Sequence, residues 1–145
     1  MSKVVSQLKQ IQADAHALFI KVHNYHWNVK GMDFHPVHLQ TEEIYNTMSV
    51  LYDDAAERVI QLGDKPHLTM TQLIKATKIK EESKDTFRSK EVVENIIKDF
   101  KYLCKTFGKL SDAADKENDK TTAAFADDNV AILEKQIWML GAMVK

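Results

Sequence analysis

Histidines and carboxylates crowd residues 21–63: His26, then His38 with Glu42, then Asp53 with Glu57. Imidazole nitrogens and carboxylate oxygens bind metal ions, with bonds of about 2.0–2.2 Å. Glu42 lies four residues after His38 and Glu57 four after Asp53, so each pair shares one face if the segment is helical. Two helices would hold these groups, one over residues 3–28 and one over residues 34–62. The loop between them contains Gly31 and Asp33, which suits a helix stop followed by a helix start. An antiparallel hairpin then brings His26 and His38 to one level.

One chain cannot gather all five groups around one ion. At a rise of about 1.5 Å per residue, the pair at 53 and 57 sits roughly 22 Å along the axis from the pair at 38 and 42. Two copies of the second helix, antiparallel across a two-fold axis, could close that distance. His26, His38 and Glu42 of one chain would then meet Asp53 and Glu57 of the other. The helical wheel agrees. Val37, Ile44, Met48, Leu51, Ala55, Val59 and Leu62 share the apolar face. His38 lies about 90° from its centre, with Glu42, Asp53 and Glu57 further round. Ile60 and Tyr45 are expected on the same outer surface, where a second subunit would cover them. The competing reading is an ordinary solvated polar face. A second competitor is adventitious chelation by the pairs His23/His26 and His35/His38.

The remaining chain reads as an all-α scaffold. Glycine and proline are scarce and no strand-like alternation stands out in the 145 residues, which fit one domain over 1–145. Val4, Leu8, Ile11, Ala15, Leu18, Val22 and Tyr25 form a bundle seam on the first helix. His26 lies at its edge, and Trp27 beside it could donate an electron to a redox metal. Pro36 suits a first turn, and Gly63 suits a helix end. Thr69 and Gln72 have capping-box spacing, predicting a short helix over 70–77 outside the bundle. Ser89 is expected to cap a third long helix running to about 115, with Val92, Ile96, Leu103, Phe107 and Leu110 in one row and Cys104 beside it as a core thiol. A last helix starts near 121 and carries Val130, Leu133, Ile137, Leu140 and Val144.

Composition excludes several classes. Twenty basic and 21 acidic residues give a net charge of −1, with no global drive toward nucleic acid. A single cysteine forbids an intrachain disulfide. The opening MSKVVSQLKQ does not read as a signal peptide, and no apolar run approaches the ~20 residues that span a membrane, so the cytoplasm is the expected compartment. A di-iron site inside the bundle's own core needs Glu-x-x-His pairs. No glutamate here has a histidine three residues later.

The stretch KVHNYHWNVKGMDFHPVHLQTEEIY followed by DDAAERVIQLG resembles the Dps family of mini-ferritins, and the similarity extends over essentially the whole chain. It is nearest the short-tailed neutrophil-activating subgroup. The resemblance implies a ferritin-like four-helix bundle with a short extra helix in the long connection between the second and third helices. It implies a ferroxidase centre of two irons, Fe(II) becoming Fe(III), shared between two subunits. His26 and His38 would be ligands from one subunit and Asp53 and Glu57 from its mate, with Glu57 bridging. Many relatives carry aspartate where this chain has Glu42, so Glu42 enters as an additional ligand. A hollow dodecamer would store ferric mineral, with hydrogen peroxide as oxidant, and protect DNA. Asp119, Asp127 and Asp128 become candidates for an acidic iron-entry pore; their competing role is helix-start capping. Relatives that compact DNA use a lysine-rich N-terminal extension. Only Lys3 and Lys9 stand here, so any DNA contact is expected to be weak or dependent on pH or metal. The competing functional class is a nucleoid-binding protein whose metal site is structural.

Overall fold

The computed structural model describes residues 2–145. Four long helices form the bundle: α1 (Lys3–Asn28), α2 (Phe34–Gln61), α4 (Ser89–Lys116) and α5 (Lys120–Met143), with a short α3 (Met70–Ala76) in the connection. The helices α1 and α2 pack as one hairpin, α4 and α5 as another, and α1 lies against α4. The expected all-α bundle with one short extra helix is therefore the observed fold, with boundaries within a residue or two.

Each long helix buries the stripe its sequence marks. All seven seam residues of α1 are buried, as are Val37, Ile44, Met48, Leu51, Ala55 and Val59 of α2. Leu62, the C-cap of α2, stays exposed, because the chain turns there before the stripe comes round again. On α4 the row from Val92 to Leu110 is buried. Of the five-residue row expected on the last helix, Leu133 and Leu140 are buried and Val130, Ile137 and Val144 half-buried, while Ala123 and Ala126 add to the buried side of α5. Cys104 is half-buried rather than central, and burial pushes its thiol pKa up.

The turns follow local chemistry. Gly63 takes φ +84°, Gly63 N–H bonds the Ile60 carbonyl at 2.9 Å, and Asp64 N–H bonds that of Val59 at 3.1 Å. This left-handed Schellman cap requires glycine or asparagine. Asn118, at φ 57°, ends α4 in the same way, and Asp119 at once caps α5. The Thr69–Gln72 capping box on α3 is complete.

One expectation fails here: Ser89 is not the cap of α4. Arg88 is the N-cap, with extended backbone and no side-chain cap bond, while Ser89 is already helical and its Oγ is buried without a partner. The reason lies in a two-residue parallel pairing of β1 (Val29–Lys30) with β2 (Phe87–Arg88), which holds the chain extended up to Arg88. Strands this short leave no alternation to read.

The long connection is held by Asp14, a fully buried carboxylate on α1. It accepts hydrogen bonds from Tyr102 Oη (2.6 Å), Thr77 Oγ1 (2.8 Å) and Lys78 N–H (2.9 Å), and Gln10 Nε2 lies 3.2 Å from both oxygens. No cation pairs with it among the described residues. Alongside, the Gln12 side chain exchanges two 2.9 Å hydrogen bonds with the main chain of His67.

Candidate metal centre

The hairpin of α1 and α2 brings His26 and His38 together as expected. Their rings stack at 3.7 Å between centroids, with planes 14° apart. Their hydrogen bonds are reciprocal: His26 Nδ1 donates to the His38 carbonyl at 2.7 Å, and His38 Nδ1 to the His26 carbonyl at 2.8 Å. A carbonyl only accepts, so each ring carries its proton on Nδ1. In the neutral rings the lone pair of each is left on Nε2, the nitrogen available to a metal. Thr41 Oγ1 lies 3.1 Å from His26 Nδ1 and itself donates to the Val37 and His38 carbonyls, completing a buried polar floor.

Burial is the largest influence on His26 and holds its pKa below the ordinary histidine value; the His38 carbonyl and the nearby Glu42 act in the opposite direction and do not overcome it. Burial also lowers the pKa of His16 and of His67. A depressed folded-state pKa means the folded chain binds fewer protons than the unfolded chain. Stability is then complete above the ordinary value of about 6.5 and is lost as pH falls through the depressed values. The urea midpoint of the metal-free protein is expected to drop between about pH 7.5 and about pH 5.5, where carboxylates are still largely ionised. An unchanged or higher midpoint at the lower pH would contradict this.

The carboxylates lie elsewhere on α2. Asp53, Asp54 and Glu57 are all exposed, with oxygens within 4.8 Å of one another, the only such group of three possible metal ligands among the described residues. Neither His26 nor His38 belongs to it, as the rise along the helix requires. Glu42 is exposed and does not converge with the two histidines in this conformation. Asp54 is absent from the sequence-derived candidates, although its i,i+3 spacing to Glu57 is a usable signal.

Tyr45 is placed differently from the expectation. It is half-buried within its own chain, stacked on His23 at 3.7 Å and edge-on to His26 at 5.1 Å. His23 engages its Nδ1 with the Phe19 carbonyl at 2.6 Å, and His35 is exposed, so neither H-x-x-H pair forms part of a three-ligand group among the described residues. Ile60, at 59% exposure, does lie on the outer surface.

The three pore candidates divide. Asp119 caps α5 through Thr122 N–H at 3.0 Å and pairs with Arg58 at 3.1 Å. Burial raises its pKa, but the hydrogen bonds from Thr122 and the Arg58 guanidinium outweigh that and hold it below the usual carboxylate range. Its capping role is the one observed. Asp127 accepts from Ser111 Oγ at 2.6 Å, and Asp128 borders a surface cleft with Asp54; both are exposed. No described helix is long and apolar enough to cross a membrane.

This bundle defines a ferritin-like protein, and residues 5–145 match the ferritin-like domain model. The chain is 52% identical over 140 residues to the DNA protection during starvation protein of Helicobacter pylori, covering 97% of each. Its structure superposes on the crystal structure of Helicobacter cinaedi CAIP with a TM-score of 0.97 and 54% identity, covering 99% of this chain and all of that one. The Dps protein of Vibrio cholerae, described as a member of a broad superfamily of ferritin-like diiron-carboxylate proteins, superposes at 0.94 with 27% identity, covering 99% and 89%. The chain belongs to the Dps family of ferritin-like proteins.

Proposed function

We propose that this chain is a ferroxidase and iron store, acting as a single domain in the cytoplasm and assembling with copies of itself into a hollow dodecamer. The observation that carries this reading is the locked pair His26/His38, two imidazoles with their protons fixed on Nδ1 by the main chain. Each imidazole leaves its Nε2 lone pair for a metal ion, and the two rings lie side by side in one site. The Vibrio relative's diiron-carboxylate class supports iron as the metal.

Asp53 and Glu57 of a second subunit supply the oxygen ligands, with Glu57 bridging and Glu42 closing over the histidine side. The exposed apolar side chains of the outer surface, Ile60 among them, supply the contact between subunits. Fe(II) is the substrate. Two Fe(II) ions each give one electron to hydrogen peroxide, which takes up two protons and becomes two waters. Carboxylates stabilise the higher charge of Fe(III), which passes on as stored mineral. Asp127 and Asp128 attract incoming iron, with Asp119 at the start of the same helix. DNA is protected by removing iron and peroxide together. The basic side chains of the connection are interleaved with Glu81, Glu82 and Asp85, so direct DNA contact is weak.

The test is size-exclusion chromatography with iron detection after Fe(II) and then peroxide are added to the metal-free protein. Many irons per chain should co-elute with a large soluble oligomer. A small species without retained iron would refute storage.

A further inference from the structure

We infer that the cavity between α1, α4 and the long connection is a binding site for a phosphate group, separate from the metal centre. Gln7 and Gln10 line it from α1, Tyr102, Thr106 and Lys109 from α4, and Lys78 from the connection, around a volume of about 190 Å³. A water takes up about 30 Å³ in the liquid, so this space accepts one tetrahedral oxyanion with a few waters. Helical spacing sets two of the walls. Lys109 follows Thr106 by three residues and Tyr102 by seven, and Gln10 follows Gln7 by three, so each set shares a face of its helix. The third wall is fixed from within the bundle. Asp14 accepts from Lys78 N–H at 2.9 Å and Thr77 Oγ1 at 2.8 Å, and Gln10 Nε2 donates to the Ala76 carbonyl at 2.9 Å. The main chain that carries Lys78 is thus in place before a ligand arrives.

The donors decide the charge of the ligand. The ammonium groups of Lys78 and Lys109 make no hydrogen bond or ion pair among the described residues, where the three ion pairs use Lys21, Arg58 and Lys84. The Gln7 amide is uncommitted as well. The Thr106 hydroxyl donates to the Tyr102 carbonyl at 3.1 Å, and Tyr102 Oη donates to Asp14 at 2.6 Å. Two ammonium groups and one amide are therefore left to donate. Asp14 is the opposing charge. Its oxygens already receive Tyr102, Thr77, Lys78 N–H and Gln10, so they offer a cation nothing, and the two lysines outnumber it. Lysine meets phosphate as a point charge with three donors. An adjoining cleft of about 320 Å³ shares Gln7 and Lys109 and sets Lys3 and Lys116 against the single Asp112. That cleft gives the remainder of a phosphorylated small molecule a place to lie, so the group can be free orthophosphate or the end of a phosphate ester.

The experiment titrates orthophosphate, and in parallel glycerol 3-phosphate, into the metal-free protein by isothermal titration calorimetry. Metal-free protein is used so that iron phosphate does not contribute. About 0.15 M sodium chloride screens nonspecific attraction to surface lysines. The wild-type chain should bind one phosphate group per chain. Lys78→Ala and Lys109→Ala should each weaken binding at least about tenfold, because each removes a charge-assisted donor. The double variant should show no saturation. Both lysines are exposed, so their removal leaves no hole in the core. Lys135→Ala, which removes the same charge from α5 and lines neither cavity, should bind as wild type. Phosphate should also raise the urea midpoint of the wild-type protein and leave that of the double variant unmoved. Tighter binding of the ester assigns the cavity to a phosphorylated small molecule, and tighter binding of orthophosphate assigns it to the free ion. Saturable binding that survives in the double variant overturns the site. So does an equal loss in Lys135→Ala, or a wild-type protein that saturates with neither compound.

Discussion

Replacing Asp53 and Glu57 together with alanine is expected to lower the rate of Fe(II) oxidation by at least about 100-fold while the oligomer persists. Loss of a group that merely orients a ligand costs about 10–100-fold in metal affinity or activity, and these two would be ligands themselves. Both are exposed in the single chain, so their removal leaves no cavity in the fold. The decisive experiment mixes chains. In a two-fold pair of one Asp53→Ala/Glu57→Ala chain with one His26→Ala/His38→Ala chain, one site loses both its histidines and its acidic pair, and the other keeps them all. Random reassembly of equal amounts should therefore restore about a quarter of the wild-type sites. Recovery of activity from two inactive parents can come only from a site shared between subunits. Fast oxidation in either parent, or none in the mixture, would end the shared-site assignment.

The second large effect concerns Asp14. Substitution by alanine removes the acceptor for Tyr102, Thr77, Lys78 N–H and Gln10 at once. One buried donor left without a partner costs about 1–3 kcal/mol, so the loss of stability should reach at least about 3 kcal/mol. The substitution Asp14→Asn would keep one acceptor oxygen but replace the other with an amide nitrogen that cannot accept the bonds Asp14 now receives, so it should recover part of that loss and no more. Urea unfolding at matched subunit concentration measures both, since subunit association contributes to the observed midpoint. A loss below about 1 kcal/mol for the alanine variant would show that the connection is held by apolar packing, not by this carboxylate.

Much of the scaffold is legible in the sequence because its causes are local. The seam of α1, the capping box at Thr69 and Gln72, and Gly63 after α2 each depend on residues within a turn or two. The histidine pair is legible too, because the loop between the helices is too short to place His26 and His38 anywhere but side by side. What cannot be read depends on distant partners. The bonds from Asp14 to Thr77 and Tyr102 span 63 and 88 residues, and nothing near Asp14 announces them. Ser89 carries a sound capping signal that a pairing with Val29 and Lys30, far away in sequence, overrides. The angle of Tyr45 on the wheel points it outward. A large ring at the margin of a stripe can turn toward a neighbouring helix, and here His23 provides the surface on which it stacks. The separation of the acidic pair from the histidines follows from helix rise alone, and it is the reason the centre cannot close within one chain.

The lock on the two imidazoles has an evolutionary consequence. Metal-binding histidines are often oriented by a carboxylate, and a point mutation can delete that carboxylate. Here the principal acceptors are the carbonyls of His26 and His38 themselves, which no side-chain substitution removes. The tautomers of both rings are thus encoded in the register of the hairpin. Drift at surrounding positions leaves that register intact, whereas inserting or deleting one residue in the loop between α1 and α2 would release both rings together. Selection should therefore conserve the length of this loop more strictly than its composition.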